Sequence, residues 1–138
     1  MVIRKSTLSE LGIKERRVGN VTILDADGRL RIALRFGRSS VNLADAIVAL
    51  LANGQRKILL NLACVNMVGA KELGDLVSTY VETKRRGGHF KLFNLTPTAR
   101  QLMLSTKLSS VLDLYESEAQ AIESFEITAT LEIGVGHV

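Results

Sequence analysis

Apolar and polar positions along this chain alternate between short apolar runs and amphipathic stretches. Lys14–Arg17 is charged and reads as a first edge strand. Val21–Leu24 is apolar and rich in β-branched residues, and it runs into Asp25-Ala26-Asp27-Gly28, a turn closed by Asp-Gly. Leu30, Ile32, Leu34 and Phe36 then alternate with Arg29, Arg31, Ala33 and Arg35. That period of two predicts a half-buried strand, expected to pair back on Val21–Leu24 with its arginines in water. Ser39 or Ser40 is placed to cap a helix whose apolar stripe is Leu43, Ile47, Val48 and Leu51, and Asn53-Gly54 stops it. Lys57–Leu62 is almost continuously apolar, as a central strand covered on both faces should be.

The clearest helix follows a short loop. Leu73, Leu76, Val77, Tyr80 and Val81 recur at helical spacing, and Gly87-Gly88 ends the segment. Lys84, Arg85 and Arg86 fall in its last turn, where cations complement the helix dipole without any ligand. His89–Asn94 is a second buried strand. Thr96-Pro97 starts a helix reaching about Ser105 that buries Leu102 and Met103. Val111–Leu114 is a short strand, and Ser117 with Glu118 opens a last helix through Ala119, Ile122 and Phe125. Strands alternating with helices predict an α/β fold, a mixed β-sheet flanked by about four α-helices in a single domain.

Composition narrows the function more than it changes this fold. At 138 residues, with 46% hydrophobic and 23% charged residues, the chain is long enough to bury a core and is expected to be globular and cytoplasmic. A net charge of +4 is a mild excess that specifies no partner. The single cysteine, Cys64, cannot form an internal disulfide and is read as a small buried hydrophobe. Residues 1–12 lack the apolar core of a signal peptide and read as a loose leader, with Leu8 and Leu11 docking only weakly. No run approaches the roughly 20 apolar residues of a membrane span.

Candidate chemistry concentrates on the segment Asn66–Glu72, between the central strand and the clearest helix. It holds no nucleophile, no histidine and no acid pair, which argues against an enzyme. The two histidines, His89 and His137, have no cysteine or acid cluster at ligand spacing, so neither a metal nor a cofactor is expected. Gly69-Ala70-Lys71 lacks the glycines and the following Ser/Thr of a phosphate loop.

With this order of elements, the chain resembles the STAS domain, the fold of bacterial anti-sigma factor antagonists, over about Arg17 to Phe125. The resemblance is carried by KILLNL at Lys57–Leu62, ELGDLV at Glu72–Val77, GGHFKLFNLT at Gly87–Thr96 and TKLSSVLDLYESEAQAIESF at Thr106–Phe125. It implies a STAS-type domain over residues 13–125. It also implies a non-catalytic regulator of transcription whose partner is an anti-sigma factor of the serine-kinase, ATP-binding type. In such proteins the unphosphorylated antagonist captures the kinase and frees the sigma factor, and phosphorylation of a serine at the loop-to-helix junction ends the capture.

Three departures from the family accompany the match. Where members carry Asp-Ser-Ser-Gly at the junction, this chain has Gly69, Ala70, Lys71 and Glu72, so Ala70 and Lys71 stand at the degenerate phosphosite positions. The Leu30–Ser40 stretch is longer than family members carry. The tail, 126–138, alternates Ile127, Ala129, Leu131 and Ile133 with Thr128, Thr130 and Glu132, which predicts an extra strand able to pair in a homodimer. The partner surface is assigned to Asn66, Met67, Gly69, Ala70, Lys71, Glu72, Asp75 and Ser78. Ser39, Ser40, Ser78 and Thr79 are the other hydroxyls considered for phosphorylation. The alternative reading is a STAS scaffold or transporter-accessory subunit that binds a small ligand or a non-kinase partner. Neither reading includes nucleic acid or membrane insertion.

Overall fold

A computed structural model describes residue 8 and residues 11–27, 33–36, 39–65 and 70–135. Its main sheet has five strands in the order β1 (Ile13–Val18), β2 (Val21–Ala26), β5 (Lys57–Asn61), β6 (His89–Phe93), β7 (Asp113–Tyr115). β1 runs antiparallel to β2, and the other three pairings are parallel. A separate two-stranded hairpin joins β3 (Ala33–Phe36) to β4 (Ser39–Asn42). Among the described residues four helices, α1 (Leu43–Ala52), α2 (Ala70–Arg85), α3 (Pro97–Ser105) and α4 (Glu118–Val135), complete the mixed α/β architecture. One turn of 3-10 helix, Leu108–Ser110, precedes β7.

Register sorts the side chains into two faces. Leu24, Leu60 and Leu92 lie side by side, with Ile58 beside Phe90, and this face packs with Leu43 and Ile47 of α1 and Leu73 and Leu76 of α2. The opposite face carries Ile23, Leu59 and Phe93, covered by Ala121 and Phe125 of α4. The central strands are thus buried on both sides, as their unbroken apolar sequence requires. Each such side chain contributes about 1.5–3 kcal/mol of burial before conformational entropy is counted.

Local chemistry fixes the helix boundaries. The Thr96 hydroxyl accepts from Ala99 N at 3.2 Å and caps α3, with Pro97 in its first turn. Gln120 N donates to Ser117 Oγ at 3.2 Å, so Ser117 caps α4 as its sequence predicts. α2 ends at Arg85, the chain turns through Gly87, whose φ of 79° suits glycine, and the Gly88 amide returns to Thr83 O.

The structure corrects several sequence expectations. The Ala33–Phe36 strand does not pair with β2, because β1 and β5 already occupy both edges of β2, and it pairs with β4 instead. Ser39 and Ser40 are therefore strand residues rather than helix caps, and α1 begins at Leu43. Leu8 and Leu11 are buried in the core instead of docking weakly. Gly12, at φ 80°, turns the chain there, and its carbonyl accepts from Asp27 N at 2.8 Å. The α2 stripe is shifted: Val81 is exposed while Thr79 and Thr83 are buried. Each of those threonines donates its hydroxyl to the carbonyl four residues back, which satisfies it inside the helix. Among the described side chains of α4, Ala121 and Phe125 are buried, Ile122 is half-buried and Ala119 is exposed.

The predicted strand in the tail is also overturned, since residues 126–135 continue α4. An established helix gains a hydrogen bond with each added residue, whereas a strand there would need a free sheet edge. The side chains of Arg29, Arg31 and Arg35 and those of the tail from 127 onward lie outside the described residues.

Candidate functional site

The stem of the candidate loop is built on the carboxyl end of β5. Asn61 closes that strand, and its side chain makes three hydrogen bonds. Its Nδ2 donates to Asp25 Oδ1 at 2.8 Å, and its Oδ1 accepts from Ala63 N at 3.0 Å and from Asn94 Nδ2 at 3.3 Å. Asn94 follows β6 with φ 60°, a left-handed conformation that asparagine tolerates better than most residues. The stem is pinned to the end of β6 by Leu62 N donating to Phe93 O at 3.0 Å. The Thr96 hydroxyl also donates to Val65 O at 3.3 Å. Leu62 and Val65 are buried anchors, and the Val65 amide turns back onto Leu62 O.

Asp25 is held in turn by Arg16, whose Nε donates to Oδ2 at 2.5 Å, and Arg16 also pairs with Glu118 at the start of α4. Those two carboxylates, Glu118 first, raise the Arg16 guanidinium still further above its ordinary value. Burial alone would push the Asp25 carboxyl up, but hydrogen bonds from Arg16 and Asn61 outweigh it and hold the group below the usual carboxylate range. A continuous polar chain, Glu118–Arg16–Asp25–Asn61–Asn94, therefore crosses the sheet at the foot of the loop. Sequence reading missed it. Its one visible signal was an asparagine ending each of two otherwise apolar runs, at Asn61 and Asn94.

Of the predicted partner-surface residues, Asn66, Met67 and Gly69 lie outside the described residues. Ala70 opens α2, and Lys71 and Glu72 occupy its first turn. Helix geometry puts positions 71, 74, 75 and 78 on one face. Gly74 and Ser78 are exposed there, and Asp75 is half-buried with its carbonyl accepting from Thr79. Thr79 is fully buried, so of the adjacent hydroxyls only Ser78 faces solvent. Cys64 is exposed rather than buried, because the stem turns its inward positions to Leu62 and Val65.

The basic run at the end of α2 is occupied locally. Arg85 and Arg86 pair with Glu82 at 3.1 and 2.8 Å, and Lys84 lies over the Tyr80 ring. Among the described residues no group of histidine, cysteine and acidic side chains is arranged to hold a metal, and no helix is long and apolar enough to cross a membrane. A cavity of about 210 Å³ lies between α3 and β7, lined by Leu95, Arg100, Leu104 and Leu114 among others. That is below the roughly 300–1,000 Å³ of most small-molecule sites.

The family model of the STAS domain matches residues 14–121. No curated protein matches the chain in sequence. Among solved structures, a proposed anti-sigma factor antagonist from Thermotoga maritima superposes with TM-score 0.59 at 20% identity, covering 81% of this chain and 92% of its own. The NMR structure of the protein TM1081 gives TM-score 0.62 at 22% identity, covering 79% of this chain and 84% of that one. An anti-sigma-factor antagonist (STAS) domain protein from Planctomyces limnophilus gives TM-score 0.58 at 21% identity, covering 81% and 96%. At these identities the likeness establishes the fold.

Proposed function

From the premise that the chain belongs to the STAS domain family, we propose that it is a non-catalytic regulatory module that binds another protein, as an anti-sigma factor antagonist does. The observation that carries this reading is the extent of the match, which spans 14–121 and takes in the main sheet from the second residue of β1 onward and the start of α4. The neighbours from Thermotoga maritima and Planctomyces limnophilus, one a proposed and one a named anti-sigma factor antagonist, support it. The partner is an anti-sigma factor of the serine-kinase, ATP-binding type. It is met in the cytoplasm through the segment 66–72 and the exposed start of α2.

The finer claim concerns regulation. That α2 begins at Ala70 supports reading Ala70 and Lys71 as the junction positions where the family's serines stand. Neither residue can accept phosphate from a serine kinase. Lysine does not imitate phosphoserine either, since a phosphate would bring about −1.5 to −2 charges and lysine brings the opposite sign. The first turn of a helix tolerates Lys71 less well than Glu72, by a few tenths of a kcal/mol. The fold absorbs this easily, and capture of the partner is not ended in the usual way.

The reading is tested by calorimetric titration against the kinase-type anti-sigma factor encoded nearest to this gene. Saturable one-to-one binding is expected. Absence of binding, with a transporter component captured instead, would replace it with the accessory reading.

A further inference from the structure

We propose that Asn61 is a positioning residue: it fixes the path by which the chain leaves the sheet for the partner-binding segment. This rests on the reading of 66–72 and the start of α2 as the partner surface.

Three observations converge on this side chain. Asn61 is the one residue of β5 whose side chain bridges to both neighbouring strands' ends, reaching Asp25 at the end of β2 and Asn94 just after β6. The same Oδ1 that receives Asn94 also receives the Ala63 amide two residues on, so the strand-to-stem turn is made by the side chain itself. Asn94 reaches it from a left-handed backbone that most residues avoid. A local cost of this kind persists where the surroundings over-determine it, and it is a pointer to function.

The polarity of the bridge is also defined. Asp25, held ionised by Arg16, can only accept, so it orients the Asn61 amide with Nδ2 toward itself. That leaves Oδ1 facing Ala63 N and Asn94 Nδ2, both donors. Aspartate at 61 would put two carboxylates together, and leucine would leave the Ala63 amide and Asp25 without this partner. Farther along, the Thr96 hydroxyl on Val65 O holds the other end of the described stem. The described stem, to Val65, is therefore held in a fixed frame before any partner arrives, and a frame set in advance lowers the entropy cost of association.

The test compares wild type with Asn61→Leu and Asn61→Asp in two measurements. Residue-resolved amide hydrogen exchange should show Ala63 losing protection by about tenfold in Asn61→Leu, the scale of one net hydrogen bond, and by less in Asn61→Asp, whose carboxylate can still accept from Ala63 N but is repelled by Asp25. The β5 amides of Leu59 and Leu60 should be unchanged, which separates a loosened stem from a damaged fold. Titration with the nearest-encoded kinase-type anti-sigma factor should show affinity reduced about tenfold, with the loss mainly in a slower on-rate. The second substitution Asp25→Asn in the Asn61→Asp background reverses donor and acceptor and should recover part of the protection at Ala63. Unchanged exchange at Ala63 would overturn the proposal, as would a loosened stem with undiminished affinity. If wild type binds no such factor, the partner reading fails, and the exchange data alone then decide whether Asn61 sets the stem.

Discussion

The ammonium of Lys91 lies 4.2 Å from the centre of the Phe125 ring and donates to Ser124 Oγ at 2.7 Å. Lys91 is only 6% exposed, on β6 beneath α4, and its ammonium also lies 5.3 Å from the centre of the Tyr115 ring. A buried cation near two aromatic rings ties α4 to the sheet through its stem as well as its charge. Lys91→Ala should destabilise the protein by about 2–4 kcal/mol, because packing and cation–π attraction are both lost. Lys91→Met keeps the length and gains sulfur–aromatic contact, so its cost should stay within about 1 kcal/mol. Chemical denaturation of both variants checks this, and equal losses would mean that the charge, not the packing, holds the helix.

Two glycines should respond to alanine in opposite directions. A Cβ on Gly88 would meet Leu51 Cδ2 at 2.4 Å and Thr83 Cγ2 at 3.0 Å, between α1 and the end of α2. Gly88→Ala is expected to cost about 1–3 kcal/mol through overpacking. Gly74 sits within α2 with nothing within 4 Å of such an atom. Gly74→Ala should therefore stabilise the fold by about 0.5–1 kcal/mol through helix propensity. The same variant should weaken partner binding, since position 74 shares the face of Lys71 and Ser78. Melting curves and a titration together decide both points.

Acid should weaken the polar chain at the foot of the loop. Asp25 is ionised more readily when folded than the ordinary carboxyl, whose pKa is about 3.9. A group with a depressed folded pKa stabilises the native state fully above the unfolded value, and loses that contribution as the pH falls through the folded one. Asp25→Asn should therefore be less stable than wild type at neutral pH, by no more than about 1 kcal/mol because Arg16 is 40% exposed and its pairing is screened by water. The gap should close below about pH 4. Urea melts across this range check the sign, and a gap that widens in acid would refute it.

Restoring a hydroxyl tests the regulatory half of the reading. Lys71→Ser puts a phosphoacceptor in the first turn of α2, at the position the proposed reading gives to the family's serine. With an active kinase-type partner and ATP, this variant should gain one phosphate and release the partner. Lys71→Glu should instead bind more weakly in either nucleotide. Intact mass and affinity, measured together, distinguish the two.

Long apolar runs were legible because burial on both faces leaves no choice of residue. Lys57–Leu62 and His89–Asn94 appear within a residue of β5 and β6, and Thr96-Pro97 begins a helix where its capping chemistry puts one. What could not be read was pairing. The alternation from Leu30 to Phe36 suits a strand but does not say that both edges of β2 are taken by β1 and β5. Leu8 and Leu11 have no periodic neighbours, so nothing local announces that they enter the core. The tail alternates like a strand, yet helix propagation from Ser117 decides its backbone. The site was half visible. A helix starting near residue 70 follows from the spacing of Leu73, Leu76 and Val77, while the Arg16–Asp25 pair, Asn61 and Asn94 come from three separate stretches of sequence and meet only through the order of the strands.

The central claim is an antagonist that the usual phosphorylation cannot switch off. Its most direct test is titration of the wild-type chain against the nearest-encoded kinase-type anti-sigma factor, first with ADP and then with ATP, followed by intact mass. Equal affinity in both nucleotides with no added phosphate is the predicted result. Binding that is lost in ATP as the chain gains one phosphate would contradict the claim, and would move the switch to another hydroxyl, with the exposed Ser78 the first to replace.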